Sequence, residues 1–368
     1  METETNSTLE GFSPVELALS TRNHGLPLEA LRYDITPVGL HYLLTHFDIP
    51  EVDAAAWRLE IGGLVERPLS LSLDDLRARH AVEVAVTMEC AGNGRVHVEP
   101  HVVSQPWVLE AVGTARWRGT PVAAILEEAG VRDGSVEVLF TGLDRGVDGG
   151  EEQAYERSLP VDVLLEGDAL LAYEVNGVPL PPQHGYPLRL VVPGWYGMTS
   201  VKWLARMSVL DTPFAGYQQS HSYRIRREED EPGEPVTTIV PRSLMVPPGI
   251  PDFLTRARIV EAGTCEIVGR AWSGASDVAA VDVSTDGCRT WAPAELGESA
   301  LGRWAWRPWR YTWDAEPGQH ELCCRARDAA GLEQPLEPPW NLGGYVNNAV
   351  QRVAVTVTAS ARASAAHP

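Results

Sequence analysis

The sequence predicts an α+β protein in which a mixed α/β domain is followed by an immunoglobulin-like β-sandwich. In the first part, helical segments with start and stop signals alternate with short apolar strands, as in mixed α/β domains. Residues 225–252 are rich in charge and proline, which is typical of a connection between domains. About a hundred residues of short strands and turns follow, a pattern typical of an immunoglobulin-like sandwich.

Helix boundaries in the first part follow from capping residues. One short helix is predicted over residues 14–19. Ser72 can cap a second helix over residues 73–79, because its hydroxyl can accept a hydrogen bond from a free backbone N–H of the first turn. A proline and Gly130 bound a third helix over residues 122–128, since proline suits a helix start and glycine its end. Strands are predicted at residues 57–61, 82–87, 135–141 and 188–192.

These signals divide the chain into four segments. They are a tail at residues 1–30, the mixed domain at 31–235, the sandwich at 236–357 and a tail at 358–368. Within the predicted sandwich, Asp286-Gly287 marks a hairpin after a strand at residues 281–284. Three tryptophans of this segment can serve its core or an interface, with the core as the default expectation: Trp304, Trp306 and Trp309.

The net charge of -20 limits the partners of the protein. A strongly acidic chain is poorly suited to nucleic acid or to an anionic membrane surface, so neither is expected as a partner. An anionic substrate would need a local cationic pocket to overcome the overall field. No apolar run approaches the ~20 residues that span a bilayer. The first residues are acidic and polar and carry no export signal, so a cytoplasmic location is expected.

The five cysteines, at positions 90, 265, 288, 323 and 324, indicate no disulfide framework. A bond between Cys265 and Cys323 is not expected in a cytoplasmic protein. The adjacent Cys323 and Cys324 fit a strand with one thiol packed inside and one facing outward. No Cys-x-x-Cys pair occurs, which argues against a zinc site, an iron–sulfur cluster or a covalently attached haem of that type.

Residues 87–95, Thr-Met-Glu-Cys-Ala-Gly-Asn-Gly-Arg, form the most informative segment, called here the cysteine motif. Cys90 follows an apolar run and precedes small residues that favour a turn. With Arg95 five residues on, such a cysteine can be held as a thiolate, which is a soft metal ligand or a nucleophile. The alternative is a buried structural cysteine.

The cysteine motif resembles the molybdenum-ligand loop of the sulfite oxidase family of molybdopterin enzymes. The similarity continues from about residue 30 to about residue 357. Matching blocks are Leu-Ala-Tyr-Glu-Val-Asn-Gly at 171–177, His-Gly-Tyr-Pro-Leu-Arg at 184–189, Val-Pro-Gly at 192–194 and Val-Lys-Trp-Leu at 201–204. The resemblance implies a molybdopterin-binding domain of sulfite oxidase type, followed by a dimerisation domain, and hence a homodimer.

The resemblance also implies which residues hold the cofactor. Cys90 would be the only protein ligand of a molybdenum atom that is held by the pterin dithiolene. Cationic and imidazole side chains suit a phosphate, and an aspartate suits pterin N–H groups. An ordinary surface pair is the alternative for the histidine and arginine of the second block. The implied cofactor-binding residues are His46, Cys90, Asp144, His184, Arg189, Ser200, Val201 and Lys202.

Four residues match the family's substrate site: Arg95, Trp107, Tyr223 and Arg307, the last reaching in from the second domain. Two guanidinium groups can bind a small oxyanion with paired hydrogen bonds. The chain departs from the family at Leu44, where sulfite oxidases carry an arginine. His41 and Tyr42 also stand where paired phenylalanines are usual. The site therefore has one cation fewer and a more apolar wall.

Three functions remain open at this point. The leading hypothesis is oxidation of sulfite to sulfate, with electrons passing to an external acceptor. The second is reduction of a sulfoxide or another oxyanion, with Leu44 facing an apolar substituent; nitrate is less favoured, because Arg307 keeps the sulfite oxidase form. The third is a cofactor-free dimeric scaffold, against which Cys90, His184, Arg189 and Lys202 all argue.

Overall fold

The structure, a computed structural model, describes residues 11–359. The helices in this range are short. The α-helices are α1 (Pro14–Arg22), α2 (Leu73–Arg77), α3 (Val122–Ala129), α4 (Val161–Glu166) and α5 (Tyr217–Ser220). Single 3₁₀ turns occur at Leu28–Arg32, Val38–Leu40, Arg95–His97, Pro182–His184 and Gly197–Thr199. None of the helices in residues 11–359 is long and apolar enough to cross a membrane.

The three helices predicted from capping residues are present. In α2, the Ser72 hydroxyl accepts from the Asp75 backbone N–H (3.1 Å), and the Asp75 carboxylate accepts in return from the Ser72 N–H (2.9 Å). Gly130 ends α3 in the left-handed conformation, with φ +71. Ser13 and Glu16 form the same reciprocal cap at α1. Local capping chemistry therefore sets these boundaries.

Two five-stranded sheets form the first domain. Their strands are β1 (Leu59–Gly63), β2 (Leu69–Leu71), β3 (Val82–Glu89), β4 (Val112–Pro121), β5 (Glu137–Asp148), β6 (Glu151–Pro160), β7 (Leu170–Val175), β8 (Val178–Pro179), β9 (Arg189–Val191) and β10 (Leu204–Leu210). One sheet has the strand order β2-β1-β10-β5-β6. The other has the order β3-β4-β7-β8, and its fifth strand, β9, pairs with β7. Each of the four predicted strands overlaps one of these. A two-stranded ribbon follows, made of β11 (Arg224–Ile225) and β12 (Glu234–Pro235).

The core of the first domain lies where the helices meet the two sheets. Leu126 of α3 packs with Phe140 of β5 and with Leu171 of β7, and all three are fully buried. Burying apolar surface of this kind stabilises by roughly 25 cal/mol per Å². The mixed α/β domain predicted from the sequence is confirmed.

A two-sheet β-sandwich follows the first domain. One sheet has the order β13-β16-β20-β19 and the other β14-β15-β22-β21-β17-β18. The strands are β13 (Arg242–Met245), β14 (Ile250–Pro251), β15 (Arg258–Glu261), β16 (Gly263–Trp272), β17 (Val278–Ser284), β18 (Ala292–Pro293), β19 (Glu295–Leu296), β20 (Arg307–Ala315), β21 (Gly318–Asp328) and β22 (Gln351–Thr358). Ile267 and Trp309 of one sheet pack against Val281, Leu322 and Val355 of the other. The immunoglobulin-like character of the sandwich stays a prediction.

Two expectations differ from the structure. Residues 11–30 do not form a tail, because Leu26 is fully buried and its N–H donates to the Glu110 carbonyl (2.8 Å). Residues 1–10 and 360–368 lie outside the described range. Cys324 faces the sandwich core and Cys323 is equally buried, with its Sγ 2.8 Å from that of Cys288, so no thiol of this pair faces outward. All five cysteines are free.

Candidate active site

The cysteine motif forms a turn at the end of β3, and Cys90 is the first residue beyond the strand. The Cys90 N–H donates to the Ala111 carbonyl (2.9 Å), and the Cys90 carbonyl accepts from the Asn93 N–H (3.0 Å). Glycine at position 92 leaves room for Arg95, because a Cβ there would lie 2.5 Å from the Arg95 guanidinium and would displace it. The turn therefore holds Cys90 in place and lets Arg95 fold back over the loop.

Glu89, the residue before Cys90, ties this turn to the sandwich. Its buried carboxylate lies 2.9 Å from Arg242 Nε, and Asn93 Nδ2 donates to it (3.0 Å). The indole Nε1 of Trp272 donates to its other oxygen (2.8 Å). Arg242 and Trp272 belong to β13 and β16, so the second domain helps to position Cys90. Glu89 lies inside the cysteine motif, but nothing in the motif indicates this contact with the second domain.

A pocket beside Cys90 gathers most of the residues that the resemblance assigned to the cofactor. The assigned residues that line it are His46, Cys90, Asp144, His184, Arg189, Ser200 and Lys202. Leu44 and Tyr42 form part of an apolar wall of the same pocket. One pocket thus brings together side chains that are separated by more than a hundred residues in the sequence.

A glycine allows the cationic side of the pocket to form. Gly185 has φ +105, and a Cβ there would lie 3.0 Å from Lys202 Cβ and 3.2 Å from Arg189 Cβ. His184 and Arg189 are both buried, so an ordinary surface pair is the wrong interpretation of these two residues.

Val201 does not line the pocket. Its side chain is fully buried in the core of the first domain. Its backbone N–H donates to the Thr199 carbonyl (3.0 Å), and its carbonyl accepts from the Leu190 N–H (2.8 Å). Through these backbone contacts Val201 positions its neighbours Ser200 and Lys202, while its own side chain stays in the core.

Buried arginines fall into two groups in residues 11–359. Those outside the site have carboxylate partners: Arg242 with Glu89, Arg258 with Glu29 (3.1 Å) and Arg270 with Asp34 (2.9 Å). Those around the pocket have no carboxylate partner in the described range. They are Arg95, Arg157 and Arg189. Because an unpaired buried charge is costly, the second group indicates a site for anions.

Arg189 and Lys202 are held by backbone carbonyls. The Arg189 guanidinium donates to the His184 and Ser200 carbonyls (both 3.2 Å) and lies 4.7 Å from the centre of the Trp117 ring. The Lys202 ammonium donates to the Leu44 carbonyl (2.9 Å). Carbonyl groups orient these cations without neutralising them, which leaves their charge for a bound phosphate.

Burial strongly shifts the pKa values of the titratable side chains in the pocket. It lowers the pKa of His184 to about 2 and that of His46 to about 3, with nearby cations adding to both effects. Burial likewise lowers the pKa of Lys202 to about 7 and that of Arg189 to about 10. It raises the pKa of Asp144 to about 6, against the opposing effect of Lys202. A bound anion would offset the cost of charging the cations.

The Cys90 thiol is not activated by the protein alone. Burial raises the pKa of Cys90, and the Arg95 charge only partly opposes that shift. The Arg95 guanidinium donates instead to the Gly343 carbonyl (3.0 Å) and the Gln105 carbonyl (2.9 Å). A bound metal cation would supply the missing stabilisation of the thiolate, so the site fits a metal ligand better than a free nucleophile.

The substrate side of the site is built on two tyrosines whose rings pack against each other at a tilt of 31°. The rings of Tyr223 and Tyr345 lie 5.0 Å apart, and Arg95 lies 5.2 Å from the centre of the Tyr345 ring. His46 Nε2 contacts the Tyr223 hydroxyl. Trp107 is buried in the same apolar cluster as Cys90. The structure therefore brings three of the four predicted substrate residues close to Cys90.

Arg307, the fourth, does not reach the site. Its guanidinium donates to the Gly297 carbonyl (3.1 Å from Nε and 2.7 Å from Nη2) and to the Val278 carbonyl (2.9 Å). These contacts lie within the sandwich and engage all three nitrogen atoms of the guanidinium group, Nε, Nη1 and Nη2. The assignment of Arg307 to the substrate site is corrected accordingly: in this structure it joins strands of the second domain.

Sequence reasoning missed Tyr155, Arg157 and Tyr345. Tyr155 stacks on His46, with ring centres 4.5 Å apart, and Arg157 is 4% exposed. Tyr155 and Arg157 lie two positions apart on β6, with a half-buried residue between them, so both side chains are on one face of the strand. Their spacing of two, typical of one face of a strand, was the only signal in the sequence.

Comparison with known proteins identifies the family. The oxidoreductase molybdopterin binding domain matches residues 46–218, and the Mo-co oxidoreductase dimerisation domain matches residues 242–358. Sulfite oxidase of Gallus gallus is 38% identical over 339 residues, covering 86% of this chain and 72% of that protein. The chain belongs to the sulfite oxidase family of molybdopterin oxidoreductases. Molybdenum with molybdopterin is therefore its cofactor, in agreement with the cationic pocket beside Cys90.

Other proteins that are similar to this chain include enzymes named for different substrates. The mitochondrial sulfite oxidase of Mus musculus is 38% identical over 341 residues, and the chain spans 62% of its length. Nitrate reductase of Hordeum vulgare is 32% identical over 352 residues, covering 88% of this chain and 39% of that enzyme. The crystal structure of the sulfane dehydrogenase SoxCD from Paracoccus pantotrophus aligns with a TM-score of 0.77 at 25% identity, covering 98% of this chain and 96% of that one. Membership thus fixes the cofactor and leaves the substrate open.

Proposed function

We propose that the protein oxidises a small sulfur oxyanion, sulfite first among them, and passes two electrons to an external acceptor. The overall reaction converts sulfite and water to sulfate, two electrons and two protons. The observation that carries this proposal is that the Arg95–Tyr345–Tyr223 cluster adjoins the cationic pocket. His46 lines that pocket together with Cys90, and its Nε2 contacts the Tyr223 hydroxyl. A cofactor held in the pocket and an anionic substrate beside Tyr223 would then be neighbours.

Each residue has a role that its contacts support. Cys90 would bind molybdenum, while Arg189, Lys202 and His184 would hold the pterin phosphate side. The bound cofactor supplies the two-electron centre for oxygen-atom transfer, which side chains cannot provide. Burial raises the pKa of Tyr223 well above its usual value, so its hydroxyl stays protonated and can donate to a substrate oxygen.

Assays of the holoenzyme test this function. Sulfite-dependent reduction of several artificial one-electron acceptors is compared with sulfoxide reduction and nitrate reduction by a reduced dye. The proposal predicts that sulfite gives the highest kcat/KM. Turnover of a sulfoxide or of nitrate with no sulfite oxidation would contradict it.

A specific observation supports a second candidate, reduction of a sulfoxide. Leu44 lines the pocket beside the apolar atoms of Tyr42 and Met198. Among the residues that the structure describes, its backbone carbonyl alone makes a polar contact, with Lys202 Nζ (2.9 Å). An apolar wall of this kind suits a methyl or larger substituent on sulfur.

The Leu44→Arg variant separates the two candidates. We expect kcat/KM for sulfite to rise by about tenfold, mainly through KM, because a hydrogen bond from a charged donor contributes about 1.5 kcal/mol or more. Leu44→Met is the matched control and should leave sulfite kinetics unchanged. Flat sulfite kinetics with loss of sulfoxide turnover would instead make the reductase the better assignment.

We also propose a homodimer formed through the sandwich. Support comes from the match of residues 242–358 to a dimerisation domain and from the exposed side chains Phe253 and Leu254, which are 83% and 84% exposed. Light scattering at micromolar concentration should give twice the chain mass of 40.1 kDa. A monomer mass would remove this proposal and leave the site unaffected. The cytoplasmic location stays a prediction.

A further inference from the structure

Arg157 is a buried cation that neither the cofactor nor the fold accounts for. It lies on β6 and is 4% exposed. Its Nη1 donates to the Gln218 carbonyl, while its Nε is buried without a hydrogen-bond partner among the described residues. No carboxylate pairs with it in residues 11–359, in contrast to Arg242, Arg258 and Arg270.

The place of Arg157 is the substrate side of the site. Its guanidinium lies 5.5 Å from the centre of the Tyr223 ring, on which Tyr345 also packs. Since Arg95 lies 5.2 Å from the centre of the Tyr345 ring, the two guanidinium groups and the two phenol rings form one cluster. The Tyr223 hydroxyl contacts His46, two residues after Leu44. Arg157 therefore places a second positive charge near the segment that contains Leu44, the apolar residue found where sulfite oxidases carry an arginine.

We propose that Arg157 is a specificity-determining residue that supplies the second cation of the substrate site and selects doubly charged oxyanions over neutral substrates. The proposal rests on the proposed oxidation of a sulfur oxyanion and names the charge class of its substrate. Arg95 packs against Tyr345 and Arg157 against Tyr223, and their two charges would together favour a dianion bound beside this tyrosine pair. A neutral sulfoxide gains nothing from the second charge.

A buried charge without a carboxylate costs folding free energy unless an anion offsets it. The two possible roles of Arg157 therefore predict opposite effects of its removal. If Arg157 serves only the fold, Arg157→Met lowers Tm and leaves anion binding unchanged. If it serves the substrate, the same variant keeps or raises Tm and weakens the binding of dianions.

The test uses holoenzyme variants and sulfate, a stable dianion, as the probe. Sulfate binding to the resting enzyme is measured by isothermal titration calorimetry, and sulfate inhibition by steady-state kinetics. We expect Arg157→Met to weaken sulfate binding and to lower kcat/KM for sulfite by at least about tenfold, with unchanged molybdenum content. Arg157→Lys should retain most of both. If the wild-type enzyme reduces dimethyl sulfoxide, a neutral probe, the rate of that reaction should be the same in Arg157→Met.

Arg145→Met is the matched control. Arg145 lies on β5, the strand paired with β6, and is 60% exposed in a pair with Glu152 (3.2 Å). Its loss removes the same charge from the chain but should leave sulfate binding unchanged. Unaltered sulfate binding in Arg157→Met at full molybdenum content would overturn the inference, as would a wild type that binds no sulfate. A wild type that binds sulfate through Arg157 but oxidises no sulfite would refute only the proposed function.

Discussion

We expect the Cys90→Ser variant to keep its pterin and to lose turnover by at least about a hundredfold, because an alkoxide replaces a soft thiolate poorly as a metal ligand. The turn should survive the change. Its contacts to Ala111 and Asn93 are made by the Cys90 backbone, and serine has nearly the same size. Pterin and molybdenum per chain, measured beside steady-state turnover, check this result.

Cys265→Ser is the control for Cys90→Ser. Cys265 is a free, half-buried thiol on β16 of the sandwich, so its replacement should leave both cofactor and activity unchanged. Full turnover of Cys90→Ser would show that Cys90 is only a structural residue. Loss of pterin together with activity would mean that the cysteine also holds the turn.

The largest effect on stability is expected for Glu89→Gln, which should lower the free energy of unfolding by about 3–5 kcal/mol. The substitution keeps the shape of the side chain but leaves the Arg242 charge buried without a counter-charge. It also weakens the hydrogen bond from Trp272. Because these partners lie in the second domain, their disturbance should move Cys90 and reduce activity as well. Tm and turnover are measured on the same preparation.

Glu128→Gln provides the matched control for Glu89→Gln. Glu128 pairs with Arg79 at 2.7 Å, but both side chains are partly exposed, at 42% and 26%. Exposed pairs contribute about 0–1 kcal/mol, so Tm should change little. Equal Tm values for the two variants would show that the Glu89 carboxylate is not the link between the domains.

Elements governed by local chemistry could be predicted from the sequence. The caps at Ser72 and Gly130 set helix ends through contacts within a few residues, and both are confirmed. The turn at Cys90 follows from a run of small residues after an apolar strand. His184, Arg189 and Lys202 were assigned through the family motifs, and the structure brings all three to one pocket beside Cys90.

Contacts between distant segments could not be predicted. Glu89 and Trp272 are 183 positions apart, and nothing in either segment indicates their hydrogen bond. Arg307 sits in a matching motif, yet the strand register turns it toward the Gly297 carbonyl. Arg157 belongs to no motif at all and meets Tyr223 only when β6 packs beside the ribbon segment. Such positions depend on the completed fold.

Every role proposed for the residues beside Cys90 depends on a molybdenum–pterin cofactor in their pocket. The most direct test of its presence is the molybdenum and pterin content of the wild-type protein, produced in a host that makes the cofactor. Metal analysis and pterin fluorescence after denaturation should each give about one equivalent per chain. Folded protein from such a host that contained neither molybdenum nor pterin would show that the pocket beside Cys90 does not hold this cofactor.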